Sequence, residues 1–287
     1  MNRSFPSDIA LRQIHMKAHA RFHALGFLSQ TAAVEVGELH YLIRKGGPDL
    51  GTVVFVHGIG TSSNTWLRTI PHLNDRRTFI ALDLPGFGFS TVKRSEGFAA
   101  FRDHERALAE FLDHHVSGPL TLAGHSFGAW ISAKYAATHP DKVRHLILIN
   151  SAGVYFRGIE QLREMFVLKS ASDTKRLLTT MWYRYPWFVK PFTGAIHREL
   201  MRRRMNDVVT SIQADDLLVE ELSRLAMPVS LIWGRRDGII PLEVVDTIIR
   251  LVPRCEVFFI EQCGHVPQLE KPAQFTKTLD QVLRTVK

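Results

Sequence analysis

Cysteine is scarce in this sequence, with only Cys255 and Cys263 among 287 residues. They flank Val257-Phe258-Phe259-Ile260, which reads as a buried strand, and extended chain sets them roughly 20–25 Å apart. A disulfide needs Cα atoms within about 7 Å. An intrachain bridge is therefore not expected, and the usage fits a reducing compartment. Long apolar runs are missing too. The cleanest, Val53-Val54-Phe55-Val56 and Leu146-Ile147-Leu148-Ile149, fall far short of the ~18 residues of a membrane span. Arg12, Lys17 and Arg21 interrupt residues 9–28, so no uncharged secretory core exists there. The default expectation is cytoplasmic. Zinc-finger spacing, an RNP-type aromatic motif and a long basic tail are also absent. The excess of 36 basic over 28 acidic residues, a net +8, thus gives no reason to expect nucleic acid. Arg202-Arg203-Arg204, the tightest basic cluster, reads as a solvated helical face, with an anion or lipid contact as the alternative.

What is present is a folded composition, 45% apolar and 22% charged, without repeats or low-complexity tracts. Apolar residues Leu11, Ile14, Ala18, Phe22 and Leu25 form one stripe and predict an amphipathic helix over 8–28. Residues 34–42 alternate around Gly37-Glu38, predicting a hairpin. Strands are then expected at 52–57, 78–83, 120–125 and 143–150. Helices are expected from about Ser63, over 98–114 and over 127–138. The rhythm breaks between 154 and 225, where no β-branched run occurs. It resumes with strands at 229–233 and 256–260 and helices at 242–251 and from about 272. Alternating short apolar runs and helices predict an α/β fold with a parallel sheet covered on both faces. A helical insertion would sit above the carboxyl ends of the strands, where open α/β sheets bind ligands. The expected organisation is an N-terminal helical extension over 1–33, a core over 34–153 and 226–287, and a helical cap over 154–225.

The strongest chemical signal is Gly124-His125-Ser126-Phe127-Gly128-Ala129. It follows an apolar strand and opens a helix, the context a G-x-S-x-G nucleophile requires. Small residues at 124, 128 and 129 let backbones approach around a strained turn that exposes Ser126. A serine nucleophile needs a base, and the base an orienting acid. Of fourteen histidines, His265 lies just past the last apolar strand and is the chosen base. His125 abuts the serine with its side chain expected to point away. His57 ends an earlier strand as a hydrogen-bonded structural residue or a substrate contact. Asp237, after the strand at 229–233, is the chosen acid, with Asp215 and Asp216 as rivals. The order Ser126, Asp237, His265 suits this arrangement. The oxyanion donors are expected to be the backbone N–H groups of Phe127 and Ile59.

On His57-Gly58-Ile59-Gly60, Asp83-Leu84-Pro85-Gly86-Phe87-Gly88-Phe89-Ser90, Gly124–Gly128, Trp233–Asp237 and Gly264-His265, the chain resembles the α/β-hydrolase superfamily from about residue 34 onward. The resemblance implies a mostly parallel eight-stranded sheet with helices on both faces and an inserted helical cap. Ser126 separates the chain from the aspartate-nucleophile epoxide hydrolases and haloalkane dehalogenases. Gly58-Ile59-Gly60 and Val266 depart from the Gly-Pro-Gly loop and post-histidine aromatic usual in meta-cleavage carbon–carbon hydrolases. The chain is more similar to esterases, lipases and monoacylglycerol-lipase-like enzymes. A small-molecule ester with apolar groups is the expected substrate, with no cofactor and no metal. Carbon–carbon hydrolysis, acyl transfer or perhydrolysis, and non-catalytic ligand binding are the alternatives.

Trp182, Tyr183, Trp187 and Phe188 either line an acyl pocket or form the cap's own core. His57, Gly58 and Val266 are further substrate-contact candidates, as are Met165 and Phe166. The basic N-terminal helix has two readings: an extension docked on the domain, or a peripheral membrane contact through residues 8–28. His15, His19 and His23 lie at i, i+4 and i+8 without a carboxylate, a weak pattern for metal.

Overall fold

Six apolar runs build the centre of the sheet. In the computed structural model, which describes residues 6–47, 51–73, 76–93, 95 and 97–285, they are β3 (Thr52–Val56), β4 (Thr78–Leu82), β6 (Leu120–His125), β7 (Val143–Ile149), β8 (Val229–Gly234) and β9 (Cys255–Ile260). All pair in parallel. β6 and β8 are buried along their whole length, as strands covered on both faces must be. The hairpin of β1 (Leu28–Val34) and β2 (Gly37–Arg44) adds an antiparallel edge. The order is β1-β2-β4-β3-β6-β7-β8-β9, with the short β5 (Thr91–Val92) paired to β2. This is the α/β-hydrolase architecture, with helices on both faces.

Strand order reverses between β3 and β6, so their carboxyl ends flank a crevice. The turns that leave those ends are His57–Gly60 and Gly124–Gly128. One face of the sheet is covered by α2 (Phe101–His115), α3 (Phe127–Thr138) and α9 (Leu242–Leu251). The other carries Phe22 of α1 (Pro6–Ala24), Trp66, and Phe275 and Leu279 of α11 (Pro272–Arg284). Between β7 and β8 the chain runs through α4 (Ile159–Phe166), α5 (Ala171–Met181), α6 (Thr193–Arg202), α7 (Met205–Thr210) and α8 (Glu221–Arg224). The short α10 (Pro267–Glu270) follows β9.

Three expectations need correction. The helix expected from Ser63 is a pair of 3₁₀ turns, Ser63–Trp66 and Ile70–His72. The Ser63 N–H donates to Asp83 Oδ1 at 2.6 Å, and Pro71 brings no N–H donor. The helical extension ends earlier than residue 33, because β1 begins at Leu28; Ser29, Gln30 and Thr31 are exposed along an edge strand. The stripe on α1 is only partly its buried face: Phe22 is fully buried and Leu11, Ala18 and Leu25 are half-buried. Ile14 of that stripe is 48% exposed, as is Ile9, and Met16 is 57% exposed, whereas His15 and His19 are turned inward and half-buried. Polar contacts set this rotation. Arg198 donates to Asp8 at 2.6 Å, Asn64 donates to the His15 carbonyl at 3.4 Å, and His19 lies 3.3 Å from His40.

Candidate active site

β6 turns into α3 at Ser126, whose φ of 53° is left-handed, a conformation rare for residues with a side chain and costly to hold. The turn is fixed from several sides. The Ser126 N–H donates to the Ile149 carbonyl at 2.9 Å, and the Ala152 N–H donates to the Ser126 carbonyl at 3.2 Å. A Cβ on Gly124 would lie 2.5 Å from Ala129 Cα, and one on Gly128 2.4 Å from the His57 carbonyl oxygen. Only glycine permits either approach, so the Gly-x-Ser-x-Gly pattern is the packing requirement of this turn.

His265 meets the serine from the loop after β9. The Ser126 hydroxyl lies 2.9 Å from His265 Nε2, and His265 Nδ1 lies 2.8 Å from Asp237 Oδ2. The His265 and Asp237 side chains are both 1% exposed. The Asp237 Oδ1 accepts the N–H groups of Ile239 and Ile240 at 2.7 and 3.1 Å, and Oδ2 also accepts Asn150 Nδ2 at 2.7 Å. Every lobe of the carboxylate is thereby oriented. With Asp237 accepting at Nδ1, the Nε2 lone pair faces the serine hydroxyl.

The competing residues are engaged elsewhere. His125 Nε2 donates to the His265 carbonyl at 2.8 Å. Burial, followed by the charge of His265, pushes His125 down to about 3, so it stays neutral. His57 is fully buried. Its Nδ1 reaches the Gly58 carbonyl at 2.8 Å and its Nε2 accepts the Leu84 N–H at 2.9 Å, and burial lowers its pKa. Asp215 and Asp216 both pair with Arg102. Arg235 pairs with Glu261 at 3.0 Å and lies over the Phe259 ring.

Phe127 is the first residue of α3, where a helix N–H has no intrahelical acceptor. Across from it, a Cβ on Gly58 would lie 3.3 Å from Ser126 Cβ. The His57–Gly60 turn therefore packs directly on the serine, and Ile59, Ser126 and Phe127 together open into one cavity of about 260 Å³. Its far walls are Ile159, Leu162 and Phe166 of α4, Val209 of α7, and Ile212 and Leu217 beyond it. The polar groups along it include Glu160, Arg163 and Gln213. Of the substrate-contact candidates, Phe166 lines this cavity. His57, Gly58, Trp182, Tyr183, Trp187, Phe188, Val266 and Met165 do not. His57 and Val266 are buried in the core, while Trp187 is 78% and Phe188 56% exposed. Trp187 and Phe188 lie on the surface, and the segment meets the site through neighbouring backbone: the His265 N–H donates to the Met181 carbonyl at 2.7 Å.

Two residues around the site escaped the sequence reading. Asn150, at φ 44° just after β7, bridges the Gly234 N–H and Asp237. An asparagine after a strand that tolerates the left-handed region is a weak signal. Glu270 in α10 accepts the N–H groups of Gly264 at 2.8 Å and Tyr183 at 2.9 Å. It joins the His265 loop to the inserted helices, and its partners are backbone groups that sequence does not reveal. Burial raises the Glu270 pKa. Among the described residues no three His, Cys, Asp or Glu side chains converge as metal ligands.

Comparison with known proteins agrees with this architecture. Lipase 1 of Psychrobacter immobilis is 27% identical over 231 residues, covering 76% of this chain and 72% of that protein. A 2-hydroxymuconate semialdehyde hydrolase of Pseudomonas sp. (strain CF600) is 28% identical, covering 80% of this chain and 86% of that protein. Among solved structures, a membrane phospholipase A described as a bacterial virulence factor superposes with a TM-score of 0.83 at 28% identity, covering 96% of this chain and 92% of that one. Residues 51–272 match the alpha/beta hydrolase fold family, and the chain belongs to that family.

Proposed function

We propose that this hydrolase cleaves carboxylic esters carrying apolar acyl groups, through a covalent acyl-enzyme. The observation that carries the reading is the Ser126–His265–Asp237 relay opening into a cavity walled by aliphatic and aromatic side chains. Such a lining suits an alkyl chain rather than a sugar or a charged group.

In this reading Ser126 Oγ attacks the ester carbonyl while His265 Nε2 takes its proton. Asp237 holds the ring and stabilises the imidazolium. The N–H groups of Phe127 and Ile59 receive the oxyanion; such a donor typically contributes about 3 kcal/mol to the transition state. His265 then protonates the leaving alkoxide. Water enters, gives its proton to His265 and attacks the acyl carbonyl, and Ser126 departs with the proton returned. The inserted helices, residues 154–225, act as the cap over the acyl chain, with α4 and α7 as its walls. Residues before β1 form an extension outside that cap.

The test is hydrolysis of p-nitrophenyl esters from acetate to palmitate by wild type and Ser126→Ala. Turnover with a chain-length optimum, lost in the variant, is expected. An enzyme inert across the series but active on a dienol-diketone overturns the ester reading in favour of carbon–carbon hydrolysis.

A further inference from the structure

Two neighbouring surface stretches have no place in the chemistry above. The first is the outward face of α1. At 100° per residue, Ile9 and Met16 fall on one line, 48% and 57% exposed. Arg12, Lys17 and Arg21 are exposed around them. From Ile9 to Val34 the chain has no acidic residue, and Asp8 is held by Arg198 at 2.6 Å. The second is the loop between α5 and α6, where Trp187 is 78% exposed and Phe188 56%. Their rings stand edge to face with centroids 6.1 Å apart. Arg184 and Lys190 are exposed on either side, and no acid occurs between Trp182 and Arg198. The stretches adjoin, because α1 packs against α6 and against the Lys190–Phe192 turn.

A tryptophan and a phenylalanine left in water, with exposed cations and no acid in the flanking sequence, form an uncommon surface. Large apolar side chains exposed as a group mark an interaction site. The charge of the rim selects the partner. Aromatic and aliphatic side chains enter the headgroup boundary of a bilayer, and lysines and arginines meet anionic headgroups. We propose that Trp187 and Phe188, with the outward face of α1, dock this protein on the surface of an anionic lipid bilayer.

The loop is well placed to serve the site. Tyr183, four residues before Trp187, is tied through Glu270 to the Gly264–His265 loop. At most about 14 Å of extended chain separates the two. Docking therefore brings the bilayer close to His265, and α1 sets the orientation.

Docking does not depend on the ester reading, and it is tested without turnover, using full-length Ser126→Ala protein. The assay is co-sedimentation with vesicles of phosphatidylcholine alone or mixed with phosphatidylglycerol. Strong binding to the mixed vesicles and weak binding to the neutral ones is expected. Trp187→Glu with Phe188→Glu is expected to lower partitioning about tenfold or more. Arg12→Ala with Lys17→Ala is expected to lower it on mixed vesicles only, on the order of fivefold per charge. Both pairs are on the surface and are expected to keep wild-type thermal unfolding. No sedimentation with either vesicle overturns the proposal, as does binding that the Trp187 and Phe188 changes leave intact. A dimer seen by light scattering that those changes dissociate, without vesicle binding, assigns the patch to a second copy instead and also overturns it.

Discussion

The turn around Ser126 and the segment from Trp182 to Phe192 both adjoin the His265 loop and are built in opposite ways. At Ser126, strand, helix and two glycines leave a single backbone path, and the left-handed φ is held by packing on every side. Around Trp187 the rings face solvent, and the segment is attached to the core by backbone hydrogen bonds through Met181 and Tyr183. Chemistry needs atoms fixed to a fraction of an ångström, which the first region supplies. The proposed substrate selection and surface contact need side chains that can vary without disturbing the relay, as those of the second region and the α4–α7 walls can.

Removing the reacting atom is the most severe way to break this comparison. Ser126→Ala is expected to lower kcat by about 10⁴-fold or more with folding unchanged, measured on a short p-nitrophenyl ester. Next come the glycines. Gly128→Ala drives a Cβ to 2.4 Å from the His57 carbonyl and is expected to cost about 1–3 kcal/mol in denaturant unfolding. Gly194 in α6 has only the tip of Arg198 within 3.4 Å. Gly194→Ala is expected to stabilise by about 0.5–1 kcal/mol, since alanine orders more readily in a helix. Equal effects at both positions would erase the distinction.

Acid probes the core in a third way. Burial pushes His104 and His125 down to about 3 and His145 to about 4, and lowers His57. These rings are neutral in the folded protein and return to ordinary values, near 6.5, on unfolding. Below that pH the unfolded chain binds protons that the folded one does not. The contribution of these rings is therefore full above about pH 6.5 and falls progressively as the pH drops toward 3. The Tm followed from pH 8 downward is expected to be flat and then to decline; a Tm rising on acidification contradicts the assignment.

Smaller effects sharpen the contrast further. Asn150→Ala removes one of the hydrogen bonds orienting Asp237 and is expected to reduce kcat about tenfold, with KM little changed. Leu162→Trp fills a wall of the cavity and is expected to shift the ester optimum to shorter chains, with a few-fold loss on long ones and little on acetate.

Sequence made the first region readable and the second hardly at all. The helix expected over 127–138 is α3, residue for residue, because a buried strand, a glycine-bounded serine and an alanine-rich run leave one local solution. The hairpin expected at 34–42 exists but extends over 28–44, and its turn is Glu35-Val36 and not Gly37-Glu38, since Gly37 already pairs with Val34. Periodicity was right only in part at α1: Phe22 is buried as the stripe requires, but Ile14 is exposed, and Asn64 and His40 make polar contacts at His15 and His19 instead. The aromatic density at 182–192 allowed either a pocket lining or a cap core, and the cavity walls come from sparser positions such as Ile159, Leu162 and Val209. Those residues converge through tertiary packing of short helices that no local pattern encodes. Glu270 acts on backbone N–H groups eighty-seven and six residues away, a relation that composition and spacing leave invisible.

The central claim is that Ser126 carries the acyl group during turnover. Rapid quench of wild type with p-nitrophenyl octanoate, followed by peptide mass spectrometry, tests it most directly. A burst of nitrophenol stoichiometric with enzyme and an octanoyl adduct on the Ser126 peptide, both missing in Ser126→Ala, is the expected result. Turnover without any adduct, or an adduct and burst that persist in the variant, would contradict it.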